Sequence, residues 1–96
     1  MAAIDEVTFF PLGAHSDGLA ISTAQTLMPP GSASKLLIQA LTQNVRYTLD
    51  GTTPTSSLGF QLKAGDPPLV LPINAAVTVK VIEETATADL EYQWGY

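Results

Sequence analysis

A chain of 96 residues with a net charge of −5 and no cysteine fits one domain around a single core, and it excludes disulfides and thiolate metal sites. The four cations, Lys35, Arg46, Lys63 and Lys80, are scattered; neither nucleic acid nor an anionic membrane is expected, since both demand clustered positive charge. Charged residues make up only 14% against a usual quarter, so the surface is largely Thr, Ser, Gln, Ala and Pro, a composition suited to packing against other protein.

No apolar run approaches the length of a membrane span. Met1-Ala2-Ala3-Ile4-Asp5-Glu6 has no basic region ahead of an apolar stretch and does not read as a signal peptide, so synthesis in a cytoplasm is expected. Ile4 to Phe10, β-branched and aromatic and closed by Pro11, predicts a first strand at a sheet edge. Gly13 to Gly18 reads as a loop. Leu19 to Leu27 alternates as one strand of modest hydrophobicity, stopped by Met28-Pro29-Pro30-Gly31-Ser32.

Helix and strand compete over Lys35 to Leu41. Ser34 is a fair helix cap, but the segment is short and flanked by strands, so strand is expected. Thr42-Gln43-Asn44 is a tight connection, which makes this strand and Asn44 to Leu49 an antiparallel hairpin. In the latter, Val45, Tyr47 and Leu49 share one face and Arg46 and Thr48 the other. It runs into Asp50-Gly51-Thr52-Thr53-Pro54, read as a structural turn. Asp bonds back to the backbone two residues on, Gly takes positive φ freely, and Pro54 keeps its predecessor out of the helical region.

Further on, Phe60 to Lys63 is a short strand with Phe60 and Leu62 inward. Leu69 to Ile73 ends at Pro72 or lies on an edge. Ala76 to Glu84 places Val77, Val79 and Val81 on one face, and Leu90, Tyr92 and Trp94 alternate in the last strand. About eight short strands without a convincing helix predict an all-β domain over residues 1–96, an antiparallel sandwich or jelly roll.

Chemistry-bearing residues are sparse. His15 with Asp17 is an incomplete metal or proton-transfer site. The pairs Asp5-Glu6 and Glu83-Glu84 point to opposite faces of their strands. No Gly-x-Ser-x-Gly elbow or phosphate-binding glycine loop is present, so no catalytic residue, metal or cofactor is expected. At the C-terminus Tyr92, Trp94 and Tyr96 form an aromatic stripe; core packing suits Tyr92 and Trp94, and Trp94 and Tyr96 are the candidate partner contacts.

The runs Leu37-Ile38-Gln39-Ala40, Asn44 through Gly59 and Leu62-Lys63-Ala64-Gly65, followed by Val77 to Ile82 and Leu90-Glu91-Tyr92, resemble small structural proteins of tailed bacteriophages. The resemblance covers roughly two thirds of the chain, from Ser34 on. It implies a non-enzymatic virion component, most concretely a capsid cement or decoration protein that is made in the host cytoplasm, binds the major capsid protein of the assembled head shell and forms a homo-oligomer, commonly a trimer. The core Tyr47 to Thr55 is also similar to the sandwich module at the C-terminal ends of chitobiase-like glycosidases. That likeness implies the alternative, a carbohydrate-binding or adhesive module displayed on a virion.

Overall fold

The computed structural model describes residues 8–96. Eight strands run in chain order: β1 (Ser16–Ala20), β2 (Gln25–Leu27), β3 (Lys35–Ala40), β4 (Val45–Thr48), β5 (Phe60–Leu62), β6 (Leu69–Pro72), β7 (Val79–Glu83) and β8 (Asp89–Gly95). They form two antiparallel sheets, ordered β1-β8-β3-β6 and β2-β7-β4-β5. Each of the pairs β1/β8, β2/β7, β3/β6 and β4/β5 is hydrogen-bonded. A long hairpin rolled up so that its two arms stay paired gives that pattern, which makes this sandwich a jelly roll, as the strand count anticipated.

The core follows from period-2 alternation. Leu36, Ile38 and Ala40 of β3 and Leu90 and Trp94 of β8 are buried from one sheet, and Val45, Tyr47, Val79 and Val81 from the other. The register sets Leu36 beside Trp94, Ile38 beside Tyr92 and Ala40 beside Leu90. β3 is a strand, its helix-forming leucines overridden by this two-sided pairing with β6 and β8.

Two connections differ from expectation. Leu19 to Leu27 is not one strand, because the chain leaves the first sheet after Ala20 and enters the second at Gln25. Ile21 lies at that corner, fully buried, and its carbonyl accepts the Glu83 amide at 3.0 Å. Nor do β3 and β4 form a hairpin. Both carry a buried face, and Thr42-Gln43 carries the chain between sheets so that those faces oppose each other. β4 and β5 are the consecutive strands that do share a sheet, and the turn that stood out in the sequence lies between them.

The predicted first strand falls mostly outside the described residues. Its described end pairs with the end of β8: the amides of Phe10 and Tyr96 each donate to the other's carbonyl, at 2.9 and 3.0 Å, and Leu12 donates to Trp94 at 2.8 Å. The loop expected over Gly13 to Gly18 is partly strand, since β1 begins at Ser16 and carries an irregularity in register before Leu19. β6 lies on the edge of its sheet and ends at Pro72.

Because Ile38 is fully enclosed at the centre of the first sheet, Ile38→Ala should cost about 3 kcal/mol through lost transfer energy and an unfilled cavity. Denaturant unfolding would show this as a lower midpoint with an unchanged slope.

Candidate functional site

The rolled hairpin sorts the connections onto two ends of the sandwich. Lys35 pairs with Gly95 and Pro72, Leu27 with Val79, Thr48 with Lys80 and Tyr47 with Phe60. One end therefore gathers residues 8–12, the loops 28–34, 49–59 and 73–78, and Tyr96. The other gathers 21–24, 41–44, 63–68 and 84–88.

These ends differ chemically. The second carries Lys63, Asp66 and Glu84 in its loops, with Glu83 and Asp89 at the adjoining strand ends. Among the described residues, the loops of the first contain one charged side chain, Asp50. Lys35, at the foot of β3, donates its ammonium to the Thr8 carbonyl. The large apolar side chains left exposed show the same division: Phe10, Met28, Leu58, Phe60 and Tyr96 belong to the first end and Leu41 to the second. Phe10 and Tyr96 stack with centroids 5.6 Å apart, and Phe60 lies 5.4 Å from the ring of Tyr47.

The β4–β5 loop is built as its sequence implies. The Thr52 amide donates to Asp50 Oδ1 at 3.0 Å, and Gly51 sits at φ +86°. The Thr48 hydroxyl, on the face expected to be polar and yet buried, donates to the Thr52 carbonyl. Asp50 bridges to Thr78, whose amide donates to the Leu49 carbonyl at 2.9 Å. Pro54 is fully buried beyond Thr53. Thr55 Oγ1 then accepts the amides of Ser57 and Leu58 at 3.2 and 3.0 Å, closing a second small turn.

Gly59, at φ +125°, brings β5 against β4 so closely that a Cβ there would lie 2.9 Å from the Tyr47 carbonyl oxygen. The result is an open groove of about 460 Å³ lined by Tyr47, Leu49, Asp50, Leu58 and Phe60, with Thr48, Thr52 and Gly59 completing it. Asp50 is held below the usual carboxylate range, chiefly by the Thr52 backbone amide, and burial raises the Tyr47 phenol.

Phe60 was expected inward. It does point to the same side as the buried Leu62, but it stands at the rim where the core ends and is 60% exposed. Trp94, a candidate contact, lies inside the sandwich at 7% exposure because strand alternation carries it to the face of Leu90; its ring is not offered to a partner or to a sugar. Tyr96, one step past the strand, is 53% exposed.

Charged networks tie strands together elsewhere. His15 Nε2 lies 2.6 Å from Glu91 Oε1, and Glu91 Oε2 accepts the Gly18 amide at 2.9 Å. A hydrogen bond between Asp17 and Glu91 raises the carboxyl of the first and lowers that of the second. Sequence reasoning paired His15 with Asp17 and missed Glu91, which only the β1/β8 pairing brings near. No group of three His, Cys, Asp or Glu among the described residues is arranged to hold a metal ion. Glu84 Oε2 accepts Arg46 Nε at 2.6 Å and Gln61 Nε2 at 2.8 Å. Its partner Glu83 instead accepts the Ala88 amide at 3.2 Å, so the adjacent acids do diverge. Asp5-Glu6 lies outside the described residues.

Compared with known proteins, the chain matches no family model, no curated relative and no solved structure.

Two outcomes test the local chemistry. Gly51→Val places a β-branched residue at φ +86°, which should cost at least about 1–2 kcal/mol of folding stability; intact stability with lost partner binding would make the turn a contact surface instead. Glu84 is held below the ordinary glutamate range, first by Gln61 and also by Arg46 and Asn44. A lowered folded-state pKa stabilises the fold above the unfolded-state value, and the contribution disappears as pH falls through the folded value. Glu84→Gln should therefore lower the thermal midpoint at pH 7, and the gap from the wild type should close below about pH 4.

Proposed function

We propose that the chain is a non-enzymatic structural protein of a bacteriophage virion, a cement or decoration protein that binds the major capsid protein on the assembled head shell. The observation that carries this reading is the uneven distribution of charge between the ends of the sandwich. Among the described residues, one end combines five exposed large apolar side chains with a single charged side chain in its loops. Charge depletion with aromatic enrichment is the signature of the buried centre of a protein interface. Exposed apolar side chains gathered at one end mark an interaction surface in a way that scattered ones do not.

The motif resemblance supplies the identity of the partner, and the jelly roll suits it as an architecture used in viral capsid domains. Fold likeness alone is a weak warrant, so the surface carries the argument. On a preformed lattice, modest single-site affinity is multiplied when copies linked as a homotrimer engage symmetric positions together. The charged end would then face solvent and keep decorated particles apart.

Purified chain added to undecorated shells should bind and raise their resistance to heat. Tyr96→Asp should weaken binding about fivefold or more, whereas Leu41→Asp, at the opposite end, should leave it unchanged. Sedimentation should return the mass of three chains. Shells that neither bind the protein nor gain heat resistance would overturn the reading.

A further inference from the structure

Docking the aromatic end on a protein surface creates a problem at one atom group. Asp50 is the only charged side chain in the loops of that end among the described residues, and the ion pairs among those residues, His15–Glu91 and Arg46–Glu84, do not involve it. The carboxylate accepts the Thr52 amide and a hydrogen bond from the Thr52 side chain, both neutral donors, so its charge has no cationic partner among the described residues. A partner that covers this end without supplying a counter-charge strips water from an ionised carboxylate and leaves it unpaired, which is strongly unfavourable.

Asp50 does not stand on a flat surface. It lines the 460 Å³ groove whose walls include Tyr47, Leu58 and Phe60, a size within the range of ligand sites. Phe60, more than half exposed, lies against Tyr47 at a 40° tilt. Ring faces carry partial negative charge and attract cations. An apolar wall, two aromatic rings and one carboxylate fit a ligand that is a long apolar stem ending in a cation.

We propose that this groove receives an arginine side chain projecting from the partner, its guanidinium stacked on Phe60 and donating to the Asp50 carboxylate. The inference rests on the shell-docking reading and names the chemistry that the shell must present. Arginine is favoured over lysine because its planar group stacks on rings and its forked donors match a carboxylate. The pocket also supplies what the broad apolar surface lacks, a directional contact that fixes how the domain is rotated on its partner.

The test uses the full chain and two readouts. Nα-acetyl-arginine amide titrated at low ionic strength should shift the backbone amide NMR signals of Asp50, Thr52, Gly59 and Phe60 saturably, more tightly than Nα-acetyl-lysine amide. Asp50→Asn retains an acceptor for the Thr52 amide and so keeps the turn, and Phe60→Leu alters an exposed ring. Each should weaken the probe about fivefold. In the shell assay Asp50→Asn should weaken binding and abolish its sensitivity to salt. Shell binding by the wild type with no probe shifts in the groove, or with Asp50→Asn unaffected, would overturn the arginine pocket and leave the docking reading standing. Saturable probe binding without shell binding would support the pocket's chemistry and overturn the shell as partner. Shifts in these signals with neutral saccharides but not with the arginine probe would make the groove a sugar site and overturn the proposal.

Discussion

The structure depends on β8 lying between β1 and β3. One edge of β8 is taken by β3 along its whole length, from Gly95 beside Lys35 to Leu90 beside Ala40. Its other edge holds β1 and, further along, Phe10 to Leu12. Remove β8 and neither β1 nor Phe10 to Leu12 has a sheet to join, while β3 keeps only β6. The pairing is also the most distant along the chain, so closing it carries the largest loss of chain entropy and can form only once much of the domain is collapsed. Burial of Leu90 and Trp94 against Leu36, Ile38 and Ala40 offsets that loss.

From this closure the rest of the topology follows. With the last strand beside the first, the second must find the seventh, the third the sixth and the fourth the fifth. Only at the bend of the rolled hairpin do neighbours in sequence become neighbours in a sheet, so β4 and β5 are joined by the loop with Asp50-Gly51 and the Gly59 approach. That bend lies at the same end as Tyr96 and the Phe10 strand pair, which is why residues distant in sequence share one surface. The opposite end receives the connections with Lys63, Asp66 and Glu84. The segregation of charge is thus a property of the wrapped chain and cannot be seen along the linear sequence.

How far the sequence could be read depends on which forces were local. Alternation in Val45 to Thr48, in Val79 to Glu83 and in Asp89 to Gly95 reports burial directly, and each became a strand. The Asp50 turn was legible in detail because an Asx bond and a positive-φ glycine involve nearest neighbours only. The Thr42-Gln43 connection looked like a hairpin because a short polar link between two strands has the same local chemistry whether the chain reverses within a sheet or crosses to another. What separates the cases is which strand faces come together, a non-local fact. For the same reason Leu19 to Leu27 kept its alternation through a change of sheet, with Ile21 buried at the corner. Phe60 alternates correctly and is exposed all the same, since periodicity gives the side of a strand but not the distance to the rim. The groove needed Gly59, Asp50 and Tyr47 brought together across β4 and β5, and its one hint in the sequence was the glycine just before the strand.

The docking reading places limits on affinity. A standard interface takes about 800 Å² from each partner, close to a seventh of the 5376 Å² this chain exposes, an area that one end of the domain could supply while the opposite end stays in solvent. Such an area, apolar and, among the described residues, poor in charge, would give adhesion with little orientational preference, because dispersion and desolvation vary smoothly as one surface slides over another. A lattice protein must bind in one orientation at every equivalent position, or neighbouring copies collide. In the proposed docking, one carboxylate set beside two rings in a groove would change that balance: the apolar end would supply most of the attraction, and a single stacked, charge-paired contact would select the rotation. If symmetry multiplies each site as proposed, specificity concentrated at Asp50 and adhesion spread over the aromatic end would suffice together where neither would alone.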